Sequence, residues 1–241
     1  MGLTINADDF GIDEKINAAI VEAFKRGIIN RTTLMVNMPY AKEAMELAKK
    51  EGFADRVGLH LNLTAGKALT SSMQDDRVMC DENGCFTADF ARNLKKRFIL
   101  PRKTRENVEN EIKAQLDAYK ELQGTLWHID SHHHVHTDPS IWKELRKVAK
   151  DYPISSIRLG RNMYRGGNPL MKLFKVLLNK SIRRYNQDKR DYFGSAEDFK
   201  EYTSKMSDEK LNDFVENRDI EVMVHPMFNE LGELTDSGAK L

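Results

Sequence analysis

All seven histidines of this chain fall in three short patches: His60 in VGLHLNLT, five in HIDSHHHVH (His128, His132, His133, His134 and His136), and His225 in EVMVHP. Each patch begins as an apolar, β-branched-rich run and ends in polar residues, so imidazoles are delivered at the ends of strands. A fourth patch, LTINADDFG, delivers two adjacent carboxylates, Asp8 and Asp9, in the same way. Neutral imidazole with carboxylate is a donor set for divalent metals. Four remote segments supplying that set point to a metal-dependent enzyme.

Each group also has a plainer reading. Asp8 and Asp9 could cap a turn after a strand, but two like charges at the end of a buried strand need something positive beside them. His60 taken alone reads as a satisfied buried histidine. The SHHHVH run is harder to dismiss, since crowded imidazoles repel when protonated. His132, His134 and His136 share a side if the segment is extended, and His132 and His136 align if it turns helically. Spacing does not choose between these. Pro226 forces an extended approach at His225 and so sets the direction of that ring.

The elements that would carry these groups follow from the hydrophobic period. Residues 3–6 read as a short buried strand, and Asp13 as N-cap of a helix over 14–26 that Gly27 closes. A strand over 32–37, a helix over 41–50 and a strand over 57–63 come next. A helix over 106–122, a strand over 126–129, a helix over 139–150 and a strand over 156–159 continue the alternation. Helices over 196–203 and 208–217 then lead into a last strand over 220–224. Strand–helix alternation predicts an α/β fold with a parallel sheet and right-handed crossovers. Every suspect residue then stands at a carboxyl end of a strand, the face that carries the active site in barrel enzymes. The aperiodic stretch 64–86 is expected to be a lid or insertion loop. Residues 160–194, rich in Arg, Lys, Asn and Gly, are expected to be a basic insertion with an apolar helix, LMKLFKVLL, packed on the barrel.

Composition bounds the rest. The 241 residues suit one α/β barrel domain over 1–241. With 38 basic and 37 acidic residues the net charge is +1, so no global field favours nucleic acid or an anionic membrane. No run approaches the roughly 18 apolar residues of a membrane span. The start of the chain does not read as a signal peptide, and a cytoplasmic location is expected. Cys80 and Cys85 flank DENG with no second pair and are expected to be reduced and incidental.

The runs NADDFG, GLHLNLT, DSHHHVH and MVHP, in that order from Leu3 to Pro226, resemble the YdjC/ChbG-like carbohydrate (chitooligosaccharide) deacetylases, relatives of the polysaccharide deacetylases. The resemblance implies a distorted TIM-like (β/α) barrel of the glycoside hydrolase/deacetylase type. It implies a metal-dependent hydrolase that removes acetyl groups from short N-acetylated sugars, with Mg²⁺ as the usual metal and often a homodimer. By that resemblance Asp9, His60 and His132 hold the metal, Asp8 is the base and His225 the general acid. Asp130, His133, His134 and His136 would be supporting groups that orient ligand imidazoles. Two imidazoles are softer than magnesium prefers, so Zn²⁺, Co²⁺ or Mn²⁺ also fit. After Pro226 the sequence departs from the family, whose members carry another helical segment there, so the last wall of the site is expected to differ.

Two rival classes remain at this stage. A barrel phosphoesterase or amidohydrolase would carry a His-x-His pair on the first strand, which here ends in Asp-Asp. A non-catalytic metal-binding protein would need closed coordination, and the surplus of rim acids and histidines speaks for an open site. Arg158, Arg161 and Arg165 follow a strand that opens on the rim, where guanidinium groups could pair with a phosphorylated sugar or merely solvate a surface loop; Arg158 is expected either to bind substrate or to support the groups that hold the metal.

Overall fold

The computed structural model describes residues 2–164, 166, 169–186, 191–236 and 239–240; Arg165 lies outside them. The chain runs β1 (Gly2–Phe10), α1 (Glu14–Lys25), β2 (Arg31–Leu34), α2 (Ala41–Lys50), β3 (Val57–Leu61), α3 (Ser71–Gln74), α4 (Asp89–Arg92), α5 (Leu94–Phe98) and α6 (Arg102–Glu121). It continues β4 (His128–Ser131), α7 (Pro139–Val148), β5 (Ser156–Ile157), α8 (Pro169–Ile182), β6 (Tyr192–Ser195), α9 (Ala196–Thr203), α10 (Asp208–Asn217) and β7 (Asp219–Val224). Three short strands, β8 (Pro226–Phe228), β9 (Leu234–Asp236) and β10 (Ala239–Lys240), close the chain as an antiparallel sheet. Local chemistry explains the helix starts. Asp13 accepts the Ile16 amide at 2.8 Å, and Ser195 with Asp198 forms a reciprocal capping box on α9.

Seven strands form one sheet in the order β5-β4-β3-β2-β1-β7-β6, and every pairing in it is parallel. The two edges approach each other through the segment after β5: the Asn162 amide donates to the Phe193 carbonyl at 3.0 Å, and the Phe193 amide donates to Asn162 Oδ1 at 2.8 Å. The sheet is therefore curled into the expected barrel-like α/β form. β6 was absent from the expected elements and lies at the end of the stretch read as a basic insertion. Its four residues, YFGS, carry a glycine and no alternation, and they hold as a strand only by pairing with β7 and with Asn162. The remainder of that stretch contains α8, as the LMKLFKVLL run implied.

The strands divide their two faces unusually. Val57, Leu59 and Leu61 of β3, Ile129 of β4 and Leu34 of β2 join the hydrophobic core shared with the helices. The alternate positions, Asn6, Asp8, Thr33, His60, His128, Asp130 and Glu221, are buried and polar. Gly58 belongs to that inner face, where a Cβ would stand 2.9 Å from the His128 carbonyl oxygen. The interior is organised by Arg158, which is fully buried. Its guanidinium donates to both Asp8 oxygens at 2.7 Å, to Asp130 Oδ2 at 2.7 Å and to Glu221 Oε1 at 2.7 Å, and stacks on Phe193 with 4.7 Å to the ring centroid. One side chain from beside edge strand β5 thus touches β4, β1, β7 and the opposite edge β6, which only a curled sheet allows.

The 64–86 segment is packed down on the barrel. Met73, Met79, Cys80 and Phe86 sit in the main core. Glu111 of α6 accepts the amides of Leu69 and Thr70, each at 2.9 Å, and Asp76 accepts from Asn107 at 2.9 Å. Both cysteines are free thiols. Among the described residues no helix is long and apolar enough to cross a membrane.

Glu221 also receives Arg31 Nη2 at 3.0 Å. Burial raises its carboxyl, but the Arg31 and Arg158 guanidiniums outweigh this and hold it well below the usual carboxylate range. Removing one partner of a buried ion network leaves the others uncompensated. Glu221→Ala is therefore expected to lower unfolding stability by about 3–5 kcal/mol in a urea titration; a change below 1 kcal/mol would mean that solvent compensates the two arginines.

Candidate metal centre

A bulge in β1 separates the two adjacent aspartates. The register against β2 runs Asn6 to Arg31 and Ala7 to Thr32, then shifts so that Phe10 meets Leu34, which leaves one extra residue across Asp8 and Asp9. Asp9 absorbs it in the left-handed region with φ 70°. Neighbouring side chains of a regular strand point to opposite faces, and a bulge re-aims one of them. Asp8 consequently stays inside the barrel, held by Arg158 and by Asn6 Nδ2 at 2.8 Å, while Asp9 turns to the rim.

At the rim Asp9 Oδ1 stands 2.8 Å from His132 Nδ1 and 3.2 Å from His60 Nε2. One donor atom from each of Asp9, His60 and His132 lies within 4.8 Å of the others. His60 is oriented from behind, its Nδ1 being 2.6 Å from Asp130 Oδ1, with Thr33 donating to Asp130 Oδ2 at 2.9 Å. The other ring nitrogen is thereby presented to Asp9, the arrangement by which a carboxylate fixes a ligand imidazole. Burial alone would push His60 down, but Asp130 and Asp9 bring it up to about 10. Burial raises Asp9, and the hydrogen bonds of His132 and His60 outweigh it, leaving the group far below the usual range. One carboxylate and two imidazoles converging on a partly open rim fit a divalent ion. Two further acid–histidine groupings, Asp8 with His60 and Asp130, and His128 with Asp130 and Glu221, are fully buried, and the Arg158 guanidinium already neutralises their carboxylates.

The histidine cluster is neither extended nor helical. After β4, His132 keeps to the rim, then His133 and His134 are both left-handed with φ 53° and 55°. His133 is exposed and packs against His132 in a tilted pair with ring centroids 4.1 Å apart. His134 stands edge-on to Phe193, and its Nδ1 has no hydrogen-bond partner among the described residues. His136 is fully buried between Ser131 Oγ at 2.6 Å from Nδ1 and the Arg158 carbonyl at 3.1 Å from Nε2. Asp130 thus touches His60 and His133 lies against His132, whereas His136 is bonded between Ser131 and the Arg158 carbonyl and His134 packs edge-on against Phe193.

Arg158 is likewise not available to a sugar phosphate, because every edge of its guanidinium is engaged inside the barrel. Arg161 forms a two-pronged pair with Asp198 at 2.8 Å per contact. His225 follows β7, next to β1, with its ring 38% exposed, its amide donating to Asp236 Oδ1 at 2.7 Å and its Nδ1 4.0 Å from the same carboxylate. The structure adds Thr33, Asn6 and Glu221, which sequence reasoning missed. The available signal was a charged or amide residue flanked by apolar neighbours within a strand, as in DIEVMV.

Residues 2–239 match the profile of the YdjC-like protein family. A carbohydrate deacetylase of Vibrio cholerae serotype O1 (strain M66-2) is 41% identical over 157 residues, 64% of this chain and 57% of that protein, so this match spans little more than half of the relative. A carbohydrate deacetylase of Halalkalibacterium halodurans is 30% identical over 229 residues, 95% of this chain and 86% of the relative. The crystal structure of a proposed cellobiose-phosphate cleavage protein from Enterococcus faecalis V583 is similar with TM-score 0.66 and 25% identity, over 95% of this chain and 82% of that one.

His136 makes the fold sensitive to acid. Burial, and then the nearby Arg158 charge, lower its pKa from 6.5 to about 4. Between those values the unfolded chain holds a proton that the folded chain refuses, so stability falls as pH falls through this window. His136→Gln is expected to remove up to about 3 kcal/mol of that loss. Urea unfolding of both proteins at several pH values measures it, and an unchanged slope would assign the acid sensitivity to other groups.

Proposed function

The chain belongs to the YdjC-like family, and on that premise we propose that it is a metal-dependent hydrolase that releases acetate from short N-acetylated sugars of the chitooligosaccharide class. The convergence of Asp9, His60 and His132 within 4.8 Å on the rim carries this reading, and the relatives' name, carbohydrate deacetylase, supports deacetylation of a carbohydrate. Mg²⁺ is the metal by family resemblance, and the two imidazoles equally suit Zn²⁺, Co²⁺ or Mn²⁺. An ion bound there supplies polarisation of the acetyl carbonyl and acidification of water.

The chain's own residues divide the remaining work. Asp8, one residue from the ligand Asp9, is the base. Its carboxylate is held by two parallel Arg158 hydrogen bonds, so its orientation is set before substrate arrives. His225, just past the end of β7, which pairs with β1, and partly open to solvent, donates a proton to the departing amine. Asp130 and Thr33 hold His60 in one orientation. A phosphate on the sugar is not part of this reading, since Arg158 and Arg161 are both committed to carboxylates.

Metal analysis of the purified protein is expected to find one divalent ion per chain, lost in Asp9→Ala, His60→Ala and His132→Ala. Undiminished occupancy in the histidine variants would overturn the site. Asp8→Asn is expected to keep the ion while acetate release from an N-acetylated disaccharide drops by about 10² to 10⁴. Equal metal loss in Asp8→Asn and Asp9→Asn would remove the distinction between base and ligand. A preference for soluble polymeric glycol chitin over the disaccharide would defeat the claim about substrate size.

A further inference from the structure

The helix α8 carries two apolar stripes. Phe174, Leu178 and Ile182 face the barrel, whereas Leu170 at 75%, Leu173 at 57%, Val176 at 63% and Leu177 at 59% are exposed. The short helix α5 lies against it, with the Phe98 and Phe174 rings 5.8 Å apart. It adds Leu94 and Phe98, and Ile99 just beyond its end at 71% exposure. The two pieces form one surface of exposed aliphatic side chains. Monomeric proteins seldom leave such a contiguous patch uncovered unless it binds something.

The charge around this patch selects the partner. Residues 94–103 and 169–184 together hold ten of the 38 basic residues and none of the 37 acidic ones, so the other parts of the chain carry 28 basic against 37 acidic residues. Two of the ten are paired with acids outside these segments, Arg97 with Asp138 and Arg102 with Glu106, and the other eight leave this pair of segments locally basic within a near-neutral total. Lys95, Lys172, Lys180 and Arg184 are exposed there. Leucines that can sink into an acyl boundary, ringed by lysines and arginines, are the signature of a helix lying in an anionic membrane interface. A second copy docked on this face would appose two basic surfaces. Nucleic acid would use the cations and leave the leucines wet.

We propose that the α5–α8 face docks the protein on the surface of an anionic lipid bilayer. Phe174 also lines a cavity of about 190 Å³ with Arg97, His133 and His134, so this face adjoins the histidine segment that follows β4. The inference goes beyond the hydrolase reading and does not depend on it.

Cosedimentation of the metal-loaded 241-residue chain with two vesicle types tests it: phosphatidylcholine alone, and phosphatidylcholine with phosphatidylglycerol in equal parts. Binding is expected to the anionic vesicles only, with release as salt is raised. Lys172→Ala and Lys180→Ala should each weaken it about fivefold. Leu173→Asp combined with Leu177→Asp should abolish it with the circular dichroism spectrum unchanged, and the lysine variants keep the test decisive if that double variant misfolds. Equal binding to both vesicle types, or binding to neither, overturns the proposal. So would light scattering that shows a dimer dissociated by Leu173→Asp without vesicle binding, or retention on a duplex oligonucleotide in place of anionic vesicles.

Discussion

The Arg158 guanidinium is sealed inside the barrel, where an uncompensated charge would cost several kcal/mol, and everything around it answers that constraint. Asp8, Asp130 and Glu221 surround it, Phe193 stacks on it, and its own carbonyl is held by His136. Since those partners come from four strands, their satisfaction and the curl of the sheet are one condition. The same contacts set the plane of the Asp8 carboxylate and the position of Asp130, which in turn orients His60. Burial raises the Asp130 carboxyl, and the charges of Arg158 and His60 hold it below the usual range. The chemistry of the rim is thus built on an ion network one layer beneath it.

Barrel interiors are commonly filled by layers of bulky apolar side chains. Here the strands turn their apolar residues outward to the helices and their polar residues inward. Stability must then come from the strand–helix layer, where Val57, Leu59, Leu61 and Ile129 meet the helical core. The inner network contributes little net stability relative to an apolar filling of the same volume, but it fixes which side chain faces which.

Backbone strain concentrates where the ligands are aimed. Three of the non-glycine residues with positive φ, Asp9, His133 and His134, lie at this one rim. The sparsely populated conformation costs on the order of 1–3 kcal/mol per residue, and it persists where surrounding contacts over-determine it. At Asp9 the strain separates two neighbouring carboxylates into different layers. At His133 and His134 it reverses the chain so that His132 stays on the rim and His136 descends into the interior.

The strand–helix alternation, the parallel sheet and the gathering of the Asp8–Asp9, His60 and SHHHVH segments at one rim were legible in the sequence, because hydrophobic period and residue type are local properties and strand ends in this architecture share a face; the choice of Asp9, His60 and His132 among them rested on the family resemblance. The helix over 41–50 follows from spacing, and those over 196–203 and 208–217 are also capped by Ser195 and Ser207. The strand β6 was not legible, since four residues with a glycine have no period of their own and become a strand only through pairing with distant segments. The division of labour within the histidine run also lay outside the sequence, as two left-handed residues break both the extended and the helical reading. Arg158 shows the limit most clearly. Its position after a strand was legible, but its direction was left open, because whether an arginine faces solvent or the interior depends on carboxylates 28 to 150 positions away that only the folded sheet brings within hydrogen-bonding distance.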